Sequence, residues 1–292
     1  MQENNKIKFL NQLQEVIVMI VDSILSIGAL RSLSSLRFSI VLAAALLLVI
    51  PTGEVVSAQA GSDNPLADTF DAHGGLEKWS DMKTMTYTMD GFPLNPQVAE
   101  HCISTVDLRT RNNRIESEGY TVGFNGKQAW AVPGRDAVGL PPRFYSLGSF
   151  YFIGMPFVFG DEGTVVTDGG TGEFKGKTYR VLNVGFNKGT GFTSKDSYAV
   201  FIDPETDLLA LIHHSVSELG VDRVTWVFDE WQEVDGILVP AKFTYYPGWN
   251  PDDPGEGAVT LIRNVEFSRT SPAPSIYNPP ANAQIDNAPE LH

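Results

Sequence analysis

Two stretches in the second half of the sequence are written as strand, tight turn and strand. The first is Tyr198-Ala-Val-Phe-Ile-Asp-Pro-Glu-Thr-Asp-Leu-Leu-Ala-Leu-Ile212. The second is Arg223-Val-Thr-Trp-Val-Phe-Asp-Glu-Trp-Gln-Glu-Val-Asp-Gly-Ile-Leu-Val-Pro-Ala-Lys-Phe-Thr-Tyr-Tyr246. In each, two apolar runs flank a turn built on Asp-Pro or Asp-Gly, the signature of an antiparallel hairpin. Such hairpins build a meandering sheet. A sheet with one apolar face needs something to cover it, so what lies on that face is the functional question.

The two-residue period extends well beyond these hairpins. Expected strands are 84–91, 100–109, 113–118, 120–125, 128–132, 164–168, 174–186, 197–203, 207–217, 222–232, 237–246 and 257–268. Asp90-Gly91, Asn112-Asn113 and Asn125-Gly126 punctuate the earlier ones as turn formers. Val224, Trp226 and Phe228 share one face, and so by alternation do Val259, Leu261, Val265 and Phe267, interrupted by Arg263. Two segments read as helix. Residues 63–81 open with Asp63 or Asn64 as cap and Pro65 at the first helical position, and Gly74-Gly75 splits them. In 143–155, Phe144, Leu147, Tyr151 and Met155 fall at helical spacing, and Pro156 ends the run. The class is α+β with β dominant, in one domain over 61–292, its Pro-, Ala- and Asn-rich residues from about 271 forming an extended tail.

The N-terminus is a separate matter. Arg31 and Arg37 precede the uncharged run Phe38–Ile50, and Val56-Ser-Ala-Gln-Ala60 supplies small residues where a signal peptidase reads. That pattern predicts a signal peptide cleaved between Ala60 and Gly61, since 13 apolar residues fall short of the roughly 20 that span a bilayer. Residues 1–60 then form an extension and signal. Its upstream apolar stretch Val16–Val21 reads as a gene start assigned too early, with Met19 a possible true start, or as a second membrane-associating segment. Gly61 rather than cysteine follows the site, so lipidation there is not expected. The product is expected in the periplasm or outside the cell.

Composition narrows the partners. A formal charge of −14 over 292 residues repels nucleic-acid backbones and anionic headgroups. Cys102 is the one cysteine, which leaves no intrachain disulfide. His213 and His214 are adjacent on a strand and point to opposite faces, which argues against a shared metal ion. Gly176-Lys-Thr178 lacks the upstream glycine of a phosphate loop, because position 171 is Thr. No Gly-x-Ser-x-Gly elbow occurs. We expect no cofactor, no metal and no catalytic residues.

Several spaced segments carry a resemblance. They are Ala72-His-Gly-Gly-Leu-Glu-Lys-Trp79, Phe150-Tyr-Phe-Ile-Gly-Met-Pro-Phe157, Gly176-Lys-Thr-Tyr179, Phe201-Ile-Asp-Pro-Glu-Thr-Asp-Leu208, Glu230-Trp-Gln-Glu-Val-Asp-Gly-Ile-Leu-Val-Pro240 and Asn278-Pro-Pro-Ala-Asn-Ala-Gln-Ile285. Together they resemble a group of secreted bacterial proteins akin to the outer-membrane lipoprotein-sorting carriers of the LolA/LolB type. The resemblance implies a curved antiparallel sheet, an incomplete barrel, with helices over its concave face and an apolar cavity for acyl chains. For the carriers' cargo-handling arginine it leaves Arg143, Arg109 and Arg114 as candidates, none with a supporting motif.

The aromatic segment from Phe144 to Phe159 is the expected site. Phe144, Phe150, Tyr151, Met155 and Phe157, with Trp226 and Phe228 from the sheet, either line a pocket for a lipid or lipoprotein acyl chain or plug the concave face as core. The first alternative makes the chain a non-enzymatic binding protein. The second suits an envelope sensor or protein-interaction module, and an enzyme of unknown chemistry is a third reading.

Overall fold

The computed structural model describes residues 56–57, 64–91, 101–188, 190, 195–217 and 220–286. All lie in the second of two compact units, residues 53–292. Apart from Val56 and Ser57, the expected signal segment lies outside the described residues. No helix among them is long and apolar enough to cross a membrane.

The elements follow in chain order. Strand β1 is Val56–Ser57, and helices α1 (Ala67–Ala72) and α2 (Leu76–Asp81) come next. Strands β2 (Thr84–Asp90), β3 (Cys102–Asp107), β4 (Asn113–Glu116), β5 (Thr121–Phe124) and β6 (Ala129–Val132) then form a meander. Helices α3 (Arg135–Val138) and α4 (Pro142–Ile153) lead through a 3-10 turn (Phe157–Gly160) into β7 (Thr164–Phe174) and β8 (Lys177–Phe186). The chain continues with β9 (Tyr198–Ile202), β10 (Leu209–Val216), β11 (Val221–Val234), β12 (Ile237–Tyr246) and β13 (Ala258–Ser268). A second 3-10 turn (Pro274–Tyr277) and β14 (Gln284–Asp286) close it.

All strands belong to one open antiparallel sheet in the order β1-β7-β8-β9-β10-β11-β12-β13-β2-β3-β4-β5-β6-β14. The sheet cannot be flat. Helix α4 touches β4, β5 and β6 on one side, while its Tyr151 meets Tyr198 of β9 and its Phe152 meets Trp226 of β11. From β9 to β5 is eight strand spacings in that order, about 38 Å if laid flat at ~4.8 Å each. A helix of about 10 Å diameter reaches both only if the sheet curls around it. The half-barrel therefore follows from connectivity and contact alone.

The two hairpins that organise the sequence are present. Asp235 and Gly236 both take positive φ (53° and 74°) between β11 and β12, as a two-residue primed turn requires. Asp203 N–H bonds Leu208 O across the other turn. The α1–α2 break anchors the tip of the β11–β12 hairpin. Leu238 N–H bonds His73 O, and Lys78 Nζ donates to Gly236 O. Gly74 is at φ 107°, and a Cβ there would stand 2.2 Å from Gly236 O, so only glycine permits this approach.

Three expectations change. The expected strand 174–186 is split at its start, because Lys175 and Gly176 take positive φ (50° and 73°) and turn the chain from β7 into β8. Along β13, Asn264 at φ 52° forms a bulge that reverses the alternation. Thr260, Ile262 and Val265 are therefore buried, while Val259 is 47% exposed. The C-terminal tail is anchored. Tyr277 is buried, Trp130 Nε1–H bonds Tyr277 O at 2.8 Å, and β14 pairs with β6.

Candidate functional site

Helix α4 lies in the trough of the half-barrel. Ten of its twelve residues are buried, including Ser146, Gly148 and Ser149 on the side a surface helix would give to water. The 3-10 turn that follows is equally enclosed at Phe157, Val158 and Phe159. Proline at the start and Gly154 at the C-cap bound the helix, and a Cβ on Gly154 would stand 2.8 Å from Val158 Cγ1.

All seven expected ligand-binding residues fall in one core cluster: Phe144, Phe150, Tyr151, Met155, Phe157, Trp226 and Phe228. Ring contacts place four of them, Trp226, Tyr151, Phe157 and Phe228, in three groups. Phe152 stacks on Trp226 at 4.1 Å between ring centres. Tyr151 meets Tyr198, Phe159 and Phe186. Phe157 stacks on Trp79 at 4.7 Å, and His73 links it to Trp231 and so to Phe228. Met155 is fully enclosed. The space left among Phe144, Gly148, Tyr151, Phe152, Asp196, Tyr198, His214 and Val216 is about 20 Å3. That is the room of one water molecule, whereas ligand pockets run from about 300 Å3 upward.

The seat of α4 is unlike the rest of the core. Its underside rests on a polar seam. Tyr145 and Tyr120 share a hydrogen bond between their hydroxyls at 2.8 Å, and Tyr145 also meets Cys102 Sγ. Asn113 Nδ2 donates to Ser146 O at 3.2 Å. The side-chain oxygens of Tyr87, Ser104 and Tyr151 are enclosed there, with Tyr87 facing the hydroxyls of Ser104 and Ser149. Burying these groups gives up solvation that an apolar seat of equal area would not. Burial raises Tyr145 and Tyr151 well above the usual phenol range and Cys102 to about 11, so all three stay protonated.

Two features beside the helix were not legible from sequence. At its C-terminal end, Arg111 Nη2 donates to both carboxylate oxygens of Asp161 at 2.6 and 2.8 Å. The same guanidinium lies 5.4 Å over the ring of Phe150. Nothing in a β-turn arginine and an aspartate fifty residues on announces this latch. Against Phe152 of the same helix, His214 is buried on the inner face. It accepts from Trp226 Nε1–H at 3.0 Å and donates from Nδ1 to Ser215 O at 2.7 Å. Burial lowers its pKa to about 3, so the ring is neutral with both nitrogens satisfied. Asp196 beside it accepts from Ser217 N–H at 2.7 Å, and desolvation raises its pKa.

His213 points to the opposite face and packs on Trp249. No three metal-ligating side chains come together among the described residues. Of the arginine candidates, Arg114 is committed to Glu116 and to Ile276 O, Arg143 N–H bonds Asp286 at the start of α4, and Arg109 is exposed in the β3–β4 turn.

No protein-family model matches the chain, and no curated protein does. Solved structures do. A LolA superfamily protein from Nitrosomonas europaea is 10% identical, with 77% of this chain and 98% of that one covered at a TM-score of 0.46. A DUF1329 family protein from Desulfovibrio piger is 12% identical, covering 70% and 93% at 0.37. A putative outer membrane lipoprotein-sorting protein domain from Vibrio parahaemolyticus is 13% identical, covering 67% and 93% at 0.33. The chain thus has structural neighbours of the lipoprotein-sorting kind, as its sequence motifs suggested. Likenesses this loose carry no ligand across, and the site is argued from its own geometry.

Proposed function

We propose that this chain is an exported, non-enzymatic binding protein, processed after Ala60, in which α4 is a displaceable plug for an apolar ligand of the acyl-chain class. The observation that carries this reading is the seat of α4, which is buried along its length yet rests on a polar seam. A 12-residue helix fills a cylinder about 10 Å wide and about 18 Å long, or roughly 1,400 Å3. Vacating that trough yields a pocket of ligand size, walled by Trp226, Phe228 and the inner residues of β8–β10. Aromatic and methionine side chains then adapt to the guest. Burial of its apolar surface repays the displacement at roughly 25 cal/mol per Å2 before ordering costs.

The test is titration of the purified exported protein with a fluorescent acyl-chain probe, alongside extraction for co-purified lipid. Saturable binding that protects the trough from hydrogen exchange and deprotects α4 is expected. Absence of both bound lipid and probe uptake ends the proposal.

A further inference from the structure

Plug and guest compete for the same partners, so the polar groups of α4 describe the head of the guest. The trough is chemically divided. Its wall at β8 to β11 is apolar inward, at Leu182, Val200, Ile212 and Trp226. Its wall at β2 to β5 carries Tyr87, Ser104, Asn113 and Tyr120. Register brings these groups together. Tyr87 stands directly opposite Ser104. Ser104 is opposite Ile115, and Asn113 lies two residues along β4 on the same face, about 7 Å away at ~3.4 Å per residue. A glycerol-sized head spans that gap with hydrogen bonds at both ends.

What α4 sets against this wall is specific. Asn113 Nδ2 donates to the backbone carbonyl of Ser146 at 3.2 Å. Tyr120 shares a hydrogen bond with the hydroxyl of Tyr145 at 2.8 Å, and Tyr87 faces the hydroxyl of Ser149. The helix thus presents one carbonyl and two hydroxyls, and no charge. Asn113 Oδ1 is enclosed with no partner, an acceptor that even the plug leaves unmet. When α4 leaves, each of these groups needs a replacement, because a buried polar group without a partner is costly. Among the described residues, no lysine or arginine occupies an inward position of β2 to β5. A carboxylate or phosphate there would be buried without a counter-charge, at far greater cost than a neutral head. Burial at the seam already holds Cys102 as the neutral thiol, at about 11.

We propose, on the basis of the displaceable plug above, that the seam selects an acyl chain with an uncharged, hydroxylated ester head, of the monoacylglycerol kind. The ester carbonyl takes the place of Ser146 O on Asn113. The two free hydroxyls take the places of those of Tyr145 and Ser149, and one of them donates to Asn113 Oδ1. The tail runs toward Trp226.

Four probes that share one fluorescent tail are titrated into the purified exported protein at pH 8. They are the monoacylglycerol, the methyl ester without hydroxyls, the free fatty acid and the lysophosphatidate. The monoacylglycerol should bind about tenfold tighter than the methyl ester, from two hydrogen bonds of ordinary net strength, and tighter still than either anion. Tyr87→Phe and Tyr120→Phe should each lower the ratio of monoacylglycerol to methyl ester affinity by about threefold, one such bond apiece. The ratio is the readout because loosening the seat of α4 raises affinity for every head alike. The comparison of heads in the unaltered protein stands without either variant. Equal affinity for all four heads, tighter binding of an anion, or a ratio unchanged in both folded variants overturns the proposal and leaves the plug in place. Binding of no probe at all removes the plug, and the head selection with it.

Discussion

Replacing Arg111 by Met tests whether α4 opens. The change removes the two hydrogen bonds to Asp161 and the charge over Phe150, and it keeps a long unbranched stem over that ring. The side chains of Arg111 and Asp161 are 24% and 38% exposed, so solvent screening holds the ion pair to about 0.5 kcal/mol. The cation–π contact adds about 0.5 kcal/mol at such a site. Arg111 Nη1 is enclosed without an acceptor, a solvation cost that the change relieves, so the sum of the two contacts is an upper bound on the loss. The latch is therefore worth at most about 1 kcal/mol. If the ligand binds only the form with α4 displaced, the population of that form rises up to about fivefold and the apparent Kd for an acyl probe falls up to about fivefold. The melting temperature falls by up to about 2–4 °C for a domain of this size. Asp161→Asn acts in the same direction, and the double variant adds little to either, because both changes break one contact. Isothermal titration with a fluorescent fatty acid reads the affinity, and calorimetry reads Tm. A lowered Tm with unchanged or weakened probe affinity refutes the displaceable plug and makes α4 permanent core.

Acid should weaken the fold through its buried imidazoles. Burial lowers His214 to about 3 and His73 to about 4, so between pH 6.5 and 4 the unfolded chain takes up protons that the folded chain refuses. Stability then falls as pH drops through that window, by about 2 kcal/mol per ring at pH 5. His73→Phe, which keeps a ring against Trp231 and Phe157, should reduce the fall in urea midpoint between pH 7 and pH 5; an unchanged fall counts against this assignment. Gly74→Ala should cost at least about 3 kcal/mol, because its Cβ would stand 2.2 Å from Gly236 O at φ 107°. Gly75→Ala, with nothing within 4 Å of its Cβ, should cost about 1–3 kcal/mol from backbone strain alone, since φ 96° and ψ 136° lie outside the left-handed helical well, and thermal melts of the pair separate contact from backbone strain.

Much of this fold was legible because its turns carry their own chemistry. Asp235-Gly236 marks a hairpin by the positive φ of both residues, Asn125-Gly126 by that of its glycine alone, and Gly74-Gly75 marks the helix break for the same reason. The β7–β8 turn was missed because Lys175 supplies one of its two positive-φ positions and Phe174 continues the apolar rhythm into it. The bulge at Asn264 was missed because alternation assumes an unbroken period of two. For the site, periodicity found the aromatic residues of α4 but not the polar seam under it. Tyr87, Ser104, Asn113 and Tyr120 come from four separate segments of chain, and only sheet curvature brings them beneath one helix. Whether Phe144 to Phe157 line a pocket or fill one depends on how closely helix and sheet approach, a distance that no sequence spacing encodes.

The pairing of Trp226 with His214 has a consequence for how the strands find their alignment. Strands β8 to β10 are apolar on both faces. Leu182, Val200 and Ile212 lie inward, while Val181, Phe201 and Leu211 form a second buried cluster outside. A one-residue slip exchanges one apolar row for the other, so hydrophobic patterning alone does little to forbid it. The imidazole breaks that degeneracy. Slipped by one, His214 would leave its hydrogen bond to Trp226 and turn to the other face, with His213 or Ser215 brought to its place. Its polar contacts act as a key for the meander, and variants lacking the ring should misalign before they unfold.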